Sequence, residues 1–460
     1  MSQATSSAPA NEARESSSAR VWQLAWPTII SNLLFTTVGF LHIKIAADLG
    51  TSAVAAVTTG HRVFFLVQAI LMGLSVAATA TVSRHWGAKQ VAQAEMASWT
   101  ALLLALVIAG LLSIPVLAAP ESIAGIFGLD EATTLLAASF IFWLGLFNLF
   151  SAANMMLSTS LRATGDVLTP LYFLACSTFM NVLFGYALAF GLGPFPAMGV
   201  AGVALGGGIA GALVASIFVL LWWRGHFNLQ PVGEARFDWA AARKLVRIAL
   251  PAVTEQAVVQ VAFLAFFAIV ANYGTSAYAA YGIGISLVAF PIVVGFGFGI
   301  ATATLVGQQL GAGRPNQAMD IGWRSLRMAL LAMITLASLL AWYARDLAEF
   351  MINDPEVVEL TVGFIYIICV AHPMMACDFA LAGALRGAGD TRFPLVATFI
   401  GIIFGRLLPA WLCIALELSV YWVFSVMLLD YLLKSSLLLW RYRSRKWLKL
   451  NLDESEAPKL

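Results

Sequence analysis

Apolar segments of about twenty residues, long enough to cross a bilayer as a helix, recur along the whole sequence. Only 11% of the 460 residues are charged, whereas an ordinary globular domain has about 25%, so lipid is the expected solvent. The segments lack the alternation of barrel strands and are about twice as long, which favours helices. The twelve predicted spans are 22–46, 53–82, 97–118, 133–158, 168–190, 197–223, 246–271, 277–306, 325–344, 357–384, 393–414 and 418–440.

Lys and Arg occur mainly in alternate connections between the spans, and this distribution predicts the orientation of the chain in the membrane. Basic residues concentrate in the terminal segments and in every second connection, whereas the opposite connections carry mostly acids, with Arg345 as the one clear base. Basic connections stay on the cytoplasmic side. We therefore expect a multi-pass protein of the plasma (inner) membrane with both termini in the cytoplasm, in agreement with an even number of spans.

An internal repeat divides the spans into two sets of six. A shift of 224 residues aligns the sequence with itself without gaps over long stretches, placing Pro27 on Pro251 and Gly73 on Gly297. The same shift aligns residues 50–56 with 274–280 and residues 161–166 with 385–390. A single offset that serves segments so far apart indicates duplication. Because each half has an even number of spans, both halves enter the membrane in the same direction, an arrangement found in transporters with alternating access.

The predicted fold is all-α, with twelve transmembrane helices in two pseudo-symmetric lobes of six. The Ser- and Ala-rich beginning of the chain has no short apolar core with a cleavage site, so it is interpreted as a disordered tail and not as a signal peptide. The expected organisation is a cytoplasmic tail (1–21), an N-lobe (22–223), a cytoplasmic linker (224–245), a C-lobe (246–440) and a basic cytoplasmic tail (441–460).

Several of the repeated segments resemble the multidrug and toxic compound extrusion (MATE) family across essentially the whole chain. They are Leu24-Ala25-Trp26-Pro27, Leu250-Pro251 with the following residues to Gln256, the two Leu-Arg-x-x-Gly-Asp motifs at 161–166 and 385–390, and the segment 191–202. The resemblance implies a secondary antiporter, not an enzyme, that exports bulky and often cationic organic compounds in exchange for protons or sodium ions.

Two positions depart from the family pattern. Members usually carry an aspartate in the first span, where this chain has His42, and many carry another in the fifth span, where Gly185 follows Asn181. Both acids of the N-lobe are therefore absent. Protons are expected in preference to sodium, because a histidine can take up a proton but repels sodium when charged.

Ionisable residues inside membrane spans are costly and usually functional, and the two candidate acids lie in the second half. Glu255 follows Pro251 by one turn, where an interrupted helix could bind a cation; the alternative is a helix-end glutamate that reaches the headgroups. Asp378 lies in the middle of the tenth span, where burial suits proton uptake and release; the alternative is a structural acid. Together with His42, these are the predicted cation-coupling residues.

Other ionisable residues inside the spans have structural alternatives of their own. His42 could hydrogen-bond without ever changing protonation, and His372 could relay protons, contact substrate or simply pack. Arg406 is interpreted as a structural residue. Asp430 and Lys434 are four residues apart and are interpreted as an ion pair on a helix surface.

Polar and aromatic residues in the spans could bind bulky cations through apolar contact and cation–π interaction. The predicted substrate-binding residues are Gln256, Gln260, Asn32, Asn148, Tyr278 and His372. Any one of them could equally be an ordinary helix-packing residue.

The sequence also limits cofactors and partners. It has no nucleotide-binding loop and no zinc-ligand spacing, so we expect no metal or cofactor, no nucleic acid, and transport driven by a proton or sodium gradient across the lipid membrane. A monomer is expected. The alternative function is a flippase or exporter of a lipid-linked or amphipathic metabolite, which would require a more basic cavity than His42, His372 and Arg406 suggest.

Overall fold

A computed structural model describes residues 8–231 and 238–450, with side chains from residue 18. Within these ranges the chain is helical and has no strand. The helices are α1 (Ala8–Leu49), α2 (Thr51–Gly87), α3 (Val91–Ala118), α4 (Pro120–Gly125), α5 (Glu131–Leu146), α6 (Asn148–Thr164), α7 (Leu168–Phe190), α8 (Val200–Trp223), α9 (Trp239–Ala271), α10 (Thr275–Gly311), α11 (Pro315–Trp342), α12 (Ala344–Met351), α13 (Pro355–Gly387), α14 (Arg392–Ile400), α15 (Leu408–Ala415) and α16 (Val420–Arg443). Parts of the predicted tails and linker, namely 1–7, 232–237 and 451–460, lie outside the described residues.

Eleven spans of the described chain are long and apolar enough to cross a membrane as one helix, and the bent pair α5 and α6 supplies a twelfth. The predicted twelve-helix fold is confirmed. This pair corresponds to the predicted span 133–158, and the structure adds a bend of 49° between α5 and α6. Asn148 stabilises this bend at the start of α6, where its Nδ2 donates to the Ala109 carbonyl and to Ser113 Oγ on α3.

The chain forms two compact units. Residues Ile30–Val253 form one, called the N unit here, and the residues up to Ile29 together with those from Thr254 onward form the other, called the C unit. The boundaries lie inside α1 and α9, shortly after Pro27 and Pro251, and are 224 residues apart. The sequence-based lobes were divided at the connections, whereas the contacts divide the chain within the first helix of each half.

Equivalent glycines allow equivalent close contacts in the two units. In the N unit, a Cβ at Gly73 would overlap Val253, and in the C unit a Cβ at Gly297 would overlap Ile29. Val253 and Ile29 are themselves related by the 224-residue shift. The duplication therefore preserves the helix contacts as well as the sequence motif, and only a residue without a side chain permits this approach.

The repeated Leu-Arg-x-x-Gly-Asp motif is a turn between helices. Its glycines, Gly165 (φ 102°) and Gly389 (φ 86°), adopt left-handed conformations that other residues rarely take. Asp166 Oδ1 then accepts a hydrogen bond from the Thr169 N–H at the start of α7, with an N to O distance of 3.0 Å. Asp390 accepts from the Phe393 N–H at 3.4 Å and also pairs with Arg441 at 2.8 Å.

The close approach at Gly297 predicts a stability difference between two glycines of α10. Gly297→Ala should lower the thermal unfolding midpoint of the purified protein, because the added Cβ displaces Ile29, including backbone atoms. Gly282→Ala is the matched control, since nothing lies within 4 Å of its Cβ position and alanine is preferred over glycine in helices by about 1 kcal/mol. An equal midpoint for both variants would contradict the packing described here.

Candidate functional site

A histidine pair lies inside the N unit. His42, on α1, is 3% exposed, and its Nε2 lies 2.6 Å from Asn181 Oδ1 on α7. Its Nδ1 lies 3.3 Å from Nε2 of His61 on α2, and the two rings stack with centroids 5.3 Å apart. Phe140 presents its ring edge-on to both imidazoles. The first and second spans thus bring together two titratable rings next to an amide.

The chemistry of the groups fixes which of them donates in the series of hydrogen bonds from His61 through His42 to Asn181. An amide oxygen can only accept, so His42 Nε2 carries the proton and donates to Asn181. In a neutral His42 the other nitrogen, Nδ1, is then an acceptor, and His61 Nε2–H donates to it. A proton added at His42 Nδ1 would turn that acceptor into a donor, so the bond between the histidines would persist only if His61 moved its own proton from Nε2 to Nδ1. Protonation would therefore reverse or break the contact between α1 and α2 at this point.

Small residues shape the surroundings of the pair. A Cβ at Gly60 would overlap the Phe140 ring, so α2 approaches that ring closely one residue before His61. A Cβ at Gly207, on α8, would lie 2.9 Å from Asn181 Nδ2. Asn181 therefore lies in a narrow space between helices, which limits the positions that its oxygen can take.

The C unit contains a network of ionisable groups centred on Glu255. Its Oε1 accepts from Arg386 Nη2 at 2.6 Å and from Thr398 Oγ1 at 3.0 Å, and the residue is 5% exposed. These contacts connect α9 to α13 and α14. Asp378, two turns before Arg386 on α13, is partly buried and lies within electrostatic range of Glu255 and Arg386.

A second part of the network is centred on Asp430, which is fully buried. It pairs with Arg406 and, through Oδ1, with Lys434 Nζ at 3.1 Å. The interpretation of Asp430 and Lys434 as a helix-surface pair is wrong, because Lys434 is only 5% exposed and Arg406 completes a buried triad. Asp378 lies within electrostatic range of this triad as well. The C unit network thus contains three acids, Glu255, Asp378 and Asp430, and three bases, Arg386, Arg406 and Lys434.

A π-helical segment, Gly401–Leu407, presents Arg406 to Asp430. Such segments widen a helix locally and are frequent at functional sites. Gly401 and Gly405 face α16 so closely that a Cβ at either would come within 3 Å of Asp430. The guanidinium also lies 5.9 Å from the Phe266 ring centre and 5.6 Å from that of Tyr431.

The other predicted site residues lie in different surroundings. Asn148 is 2% exposed and stabilises the α5–α6 bend, while His372 is fully buried and its Nδ1 donates to the Ile368 carbonyl at 2.9 Å. Tyr278 is 45% exposed, with its ring 5.3 Å from that of Phe267. Three further amides are partly buried, namely Asn32 on α1 and Gln256 and Gln260 on α9.

The structure brings some of these residues together and leaves others apart. Glu255 and Asp378 share the C unit network, whereas His42 lies in the N unit with its partner His61. Sequence reasoning missed His61 and the pairing of Glu255 with Arg386. His61 lies inside the predicted span 53–82 and could have been found as a polar residue in an apolar run, but the contact across 131 residues between Glu255 and Arg386 has no local sequence signal.

Comparison with known proteins agrees with the fold and the repeat. The MatE family model matches residues 27–187 and 251–412, one match in each half. A probable multidrug resistance protein NorM of Thermotoga maritima is 26% identical over 430 residues, covering 93% of this chain and 92% of the relative. A protein named FAD transporter in Shewanella oneidensis is 26% identical over 344 residues, covering 74% and 75%.

A solved structure shows the same fold. A transporter of the MOP superfamily from Pyrococcus furiosus superimposes with a TM-score of 0.87 at 16% identity, covering 95% of this chain and 97% of that structure. The fold and the repeated match define a polytopic membrane transporter, not an enzyme. The chain belongs to the MATE family of efflux transporters.

The pairing of Glu255 with Arg386 predicts a non-additive effect on stability. Glu255→Gln leaves the guanidinium without its counter-charge and should destabilise the protein by about 3 kcal/mol, the typical cost of breaking a buried ion pair. In the double variant Glu255→Gln/Arg386→Gln no charge is left unpaired, so stability should be partly regained. Thermal unfolding of the two single variants and the double variant measures this coupling. Additive losses would contradict a direct ion pair.

Proposed function

We propose that the protein exports bulky organic compounds, cationic ones among them, in exchange for protons rather than sodium ions. The transport cycle is alternating access, and the protein acts in the plasma (inner) membrane with both termini in the cytoplasm. The observation that carries the choice of ion is the hydrogen-bonded chain from His61 through His42 to Asn181. It occupies the first-span position at which the family usually has an aspartate.

The groups in this hydrogen-bonded series favour a proton over a sodium ion. Hard cations prefer oxygen ligands, whereas the pair offers imidazole nitrogens, and the amide oxygen of Asn181 already accepts from His42. An imidazole nitrogen that carries no hydrogen has a lone pair that can bind a proton. No acidic side chain of the described residues contacts either ring, so the added charge would have to be stabilised by water or by movement of the helices.

A second candidate, export of amphipathic metabolites, has support of its own. The Shewanella relative is named an FAD transporter, which extends the range of compounds handled by similar chains beyond drugs. A lipid-linked substrate would require a basic recognition site. The two candidates share one scaffold and differ in the substrate group that is recognised.

Proton coupling predicts the loss of uphill transport in histidine variants. A gradient of one pH unit is worth about 1.4 kcal/mol per proton, which supports about a tenfold accumulation of substrate. In proteoliposomes with a proton gradient alone, the unaltered protein should accumulate a fluorescent organic cation such as ethidium, whereas His42→Gln and His61→Gln should reach an accumulation ratio of about one. A sodium gradient alone should drive none of them.

The control variant is His85→Gln, which alters a histidine near the end of α2 that hydrogen-bonds to Gln90. It should transport like the unaltered protein. Undiminished proton-driven accumulation in both His42→Gln and His61→Gln would show that coupling lies elsewhere. Accumulation driven by sodium alone would overturn the choice of ion.

A further inference from the structure

The two arginines of the repeated Leu-Arg-x-x-Gly-Asp motif have different surroundings. In the C unit, Arg386 donates to Glu255 at 2.6 Å and lies within electrostatic range of Asp378. The 224-residue shift places Arg162 on Arg386, but it places Ser31 on Glu255 and Asn154 on Asp378. The N unit has thus kept the cation and replaced both acids with neutral residues.

Arg162 has no counter-charge in the described part of the N unit. It lies in the last turn of α6 and is partly buried, and its guanidinium has no hydrogen bond or ion pair with any residue in 18–231 or 238–450. Asp166 is only four residues away, yet the contact of its carboxylate is the Thr169 N–H. Asn154 donates elsewhere, to the Gly211 carbonyl at 3.1 Å.

The remaining acids of the described N unit lie near helix ends or in connections, and several of them have other contacts. Asp48 pairs with Lys44 at 3.0 Å, Glu95 accepts from the Gln230 N–H at 2.9 Å, and Asp130 accepts from the Thr133 N–H at 3.0 Å. The helix C-terminus favours a cation at both arginines equally. It therefore does not explain why only one of them has acidic partners.

A guanidinium that is partly removed from water is stabilised by an anionic partner, and its planar set of donors matches a carboxylate or phosphate. Arg386 demonstrates that a carboxylate fits beside an arginine at this position of the fold. We propose that Arg162 binds an oxyanion, a carboxylate or phosphate carried by an amphipathic molecule, in the place where the C unit has Glu255. The proposal rests on the proposed export function and adds oxyanion-bearing compounds to its substrates.

Thermal unfolding in phosphate tests for the site without requiring transport. With the purified full chain, sodium phosphate should raise the unfolding midpoint above that in sodium chloride of equal ionic strength, because a ligand that binds only the folded state stabilises it. Arg162→Gln should increase the phosphate concentration needed for half of this effect about tenfold, the usual worth of a charge-assisted hydrogen bond. Arg162→Lys should retain part of the effect.

A variant that keeps Arg162 distinguishes anion binding from general damage to the fold. Ser31→Glu introduces an acid at the position equivalent to Glu255, so it should pair with Arg162, stabilise the protein in chloride and abolish the additional effect of phosphate. Arg327→Gln, which removes an exposed arginine of α11 in the C unit, should respond to phosphate like the unaltered protein. Equal phosphate effects in the unaltered protein, Arg162→Gln and Ser31→Glu would overturn the proposal.

Two further measurements separate a substrate from a lipid headgroup as the source of the oxyanion. Fluorescence titration should show that riboflavin 5′-phosphate binds about tenfold more tightly than riboflavin, and that the difference disappears in Arg162→Gln; this result supports a substrate group. The same titration is repeated in nanodiscs of phosphatidylcholine with and without phosphatidylglycerol. If the preference for riboflavin 5′-phosphate over riboflavin is lost only when phosphatidylglycerol is present, a lipid phosphate occupies the same site. Failure of proton-driven export with an intact phosphate effect would overturn only the proposed function.

Discussion

An ionised side chain within a membrane needs an opposite charge, hydrogen bonds or water around it, and this constraint governs the interior of both units. In the C unit, opposite charges and hydrogen bonds from the same unit satisfy this requirement. Glu255, Arg386 and Thr398 form one hydrogen-bonded group, and Asp430 with Arg406 and Lys434 forms another. The π-helical segment and its glycines allow the second group to form, because they let the helix containing Arg406 approach α16 closely.

Duplication has conserved the packing contacts and changed the polar residues. A Cβ at Gly60 would overlap Phe140, and at the equivalent positions a Cβ at Gly284 would overlap Phe364. His42, in contrast, has Phe266 as its equivalent, and Glu255 has Ser31. Packing is under the same geometric constraint in both units, since a close-packed interior tolerates few changes in volume. The ionisable positions are free to diverge and to take on different functions.

Much of the fold was predictable from the sequence, because apolar run length and a single repeat offset are strong signals. The bend at Phe147 was not, since it depends on hydrogen bonds from Asn148 to a different helix. The same reason explains why Glu255 was identified as a candidate but its partner was not. Arg386 was assigned to a loop motif on the predicted cytoplasmic side, and one sequence contains no information on which distant residue such an arginine contacts.

The geometry also bears on which unit responds to protons. Glu255 is the acid in contact with Arg386, and Asp430 is the acid in contact with Arg406 and Lys434, so loss of either acid would leave basic groups without a counter-charge in contact. Among the described residues, the histidine pair forms hydrogen bonds and no ion pair, so no basic partner would lose its counter-charge. A proton added to the pair creates a charge and at the same time reverses or breaks the hydrogen bond between α1 and α2. The sequence favoured the two acids of the second half for coupling, whereas the proposed function assigns it to His42 and His61, whose hydrogen bond can respond to a proton without the loss of an ion pair.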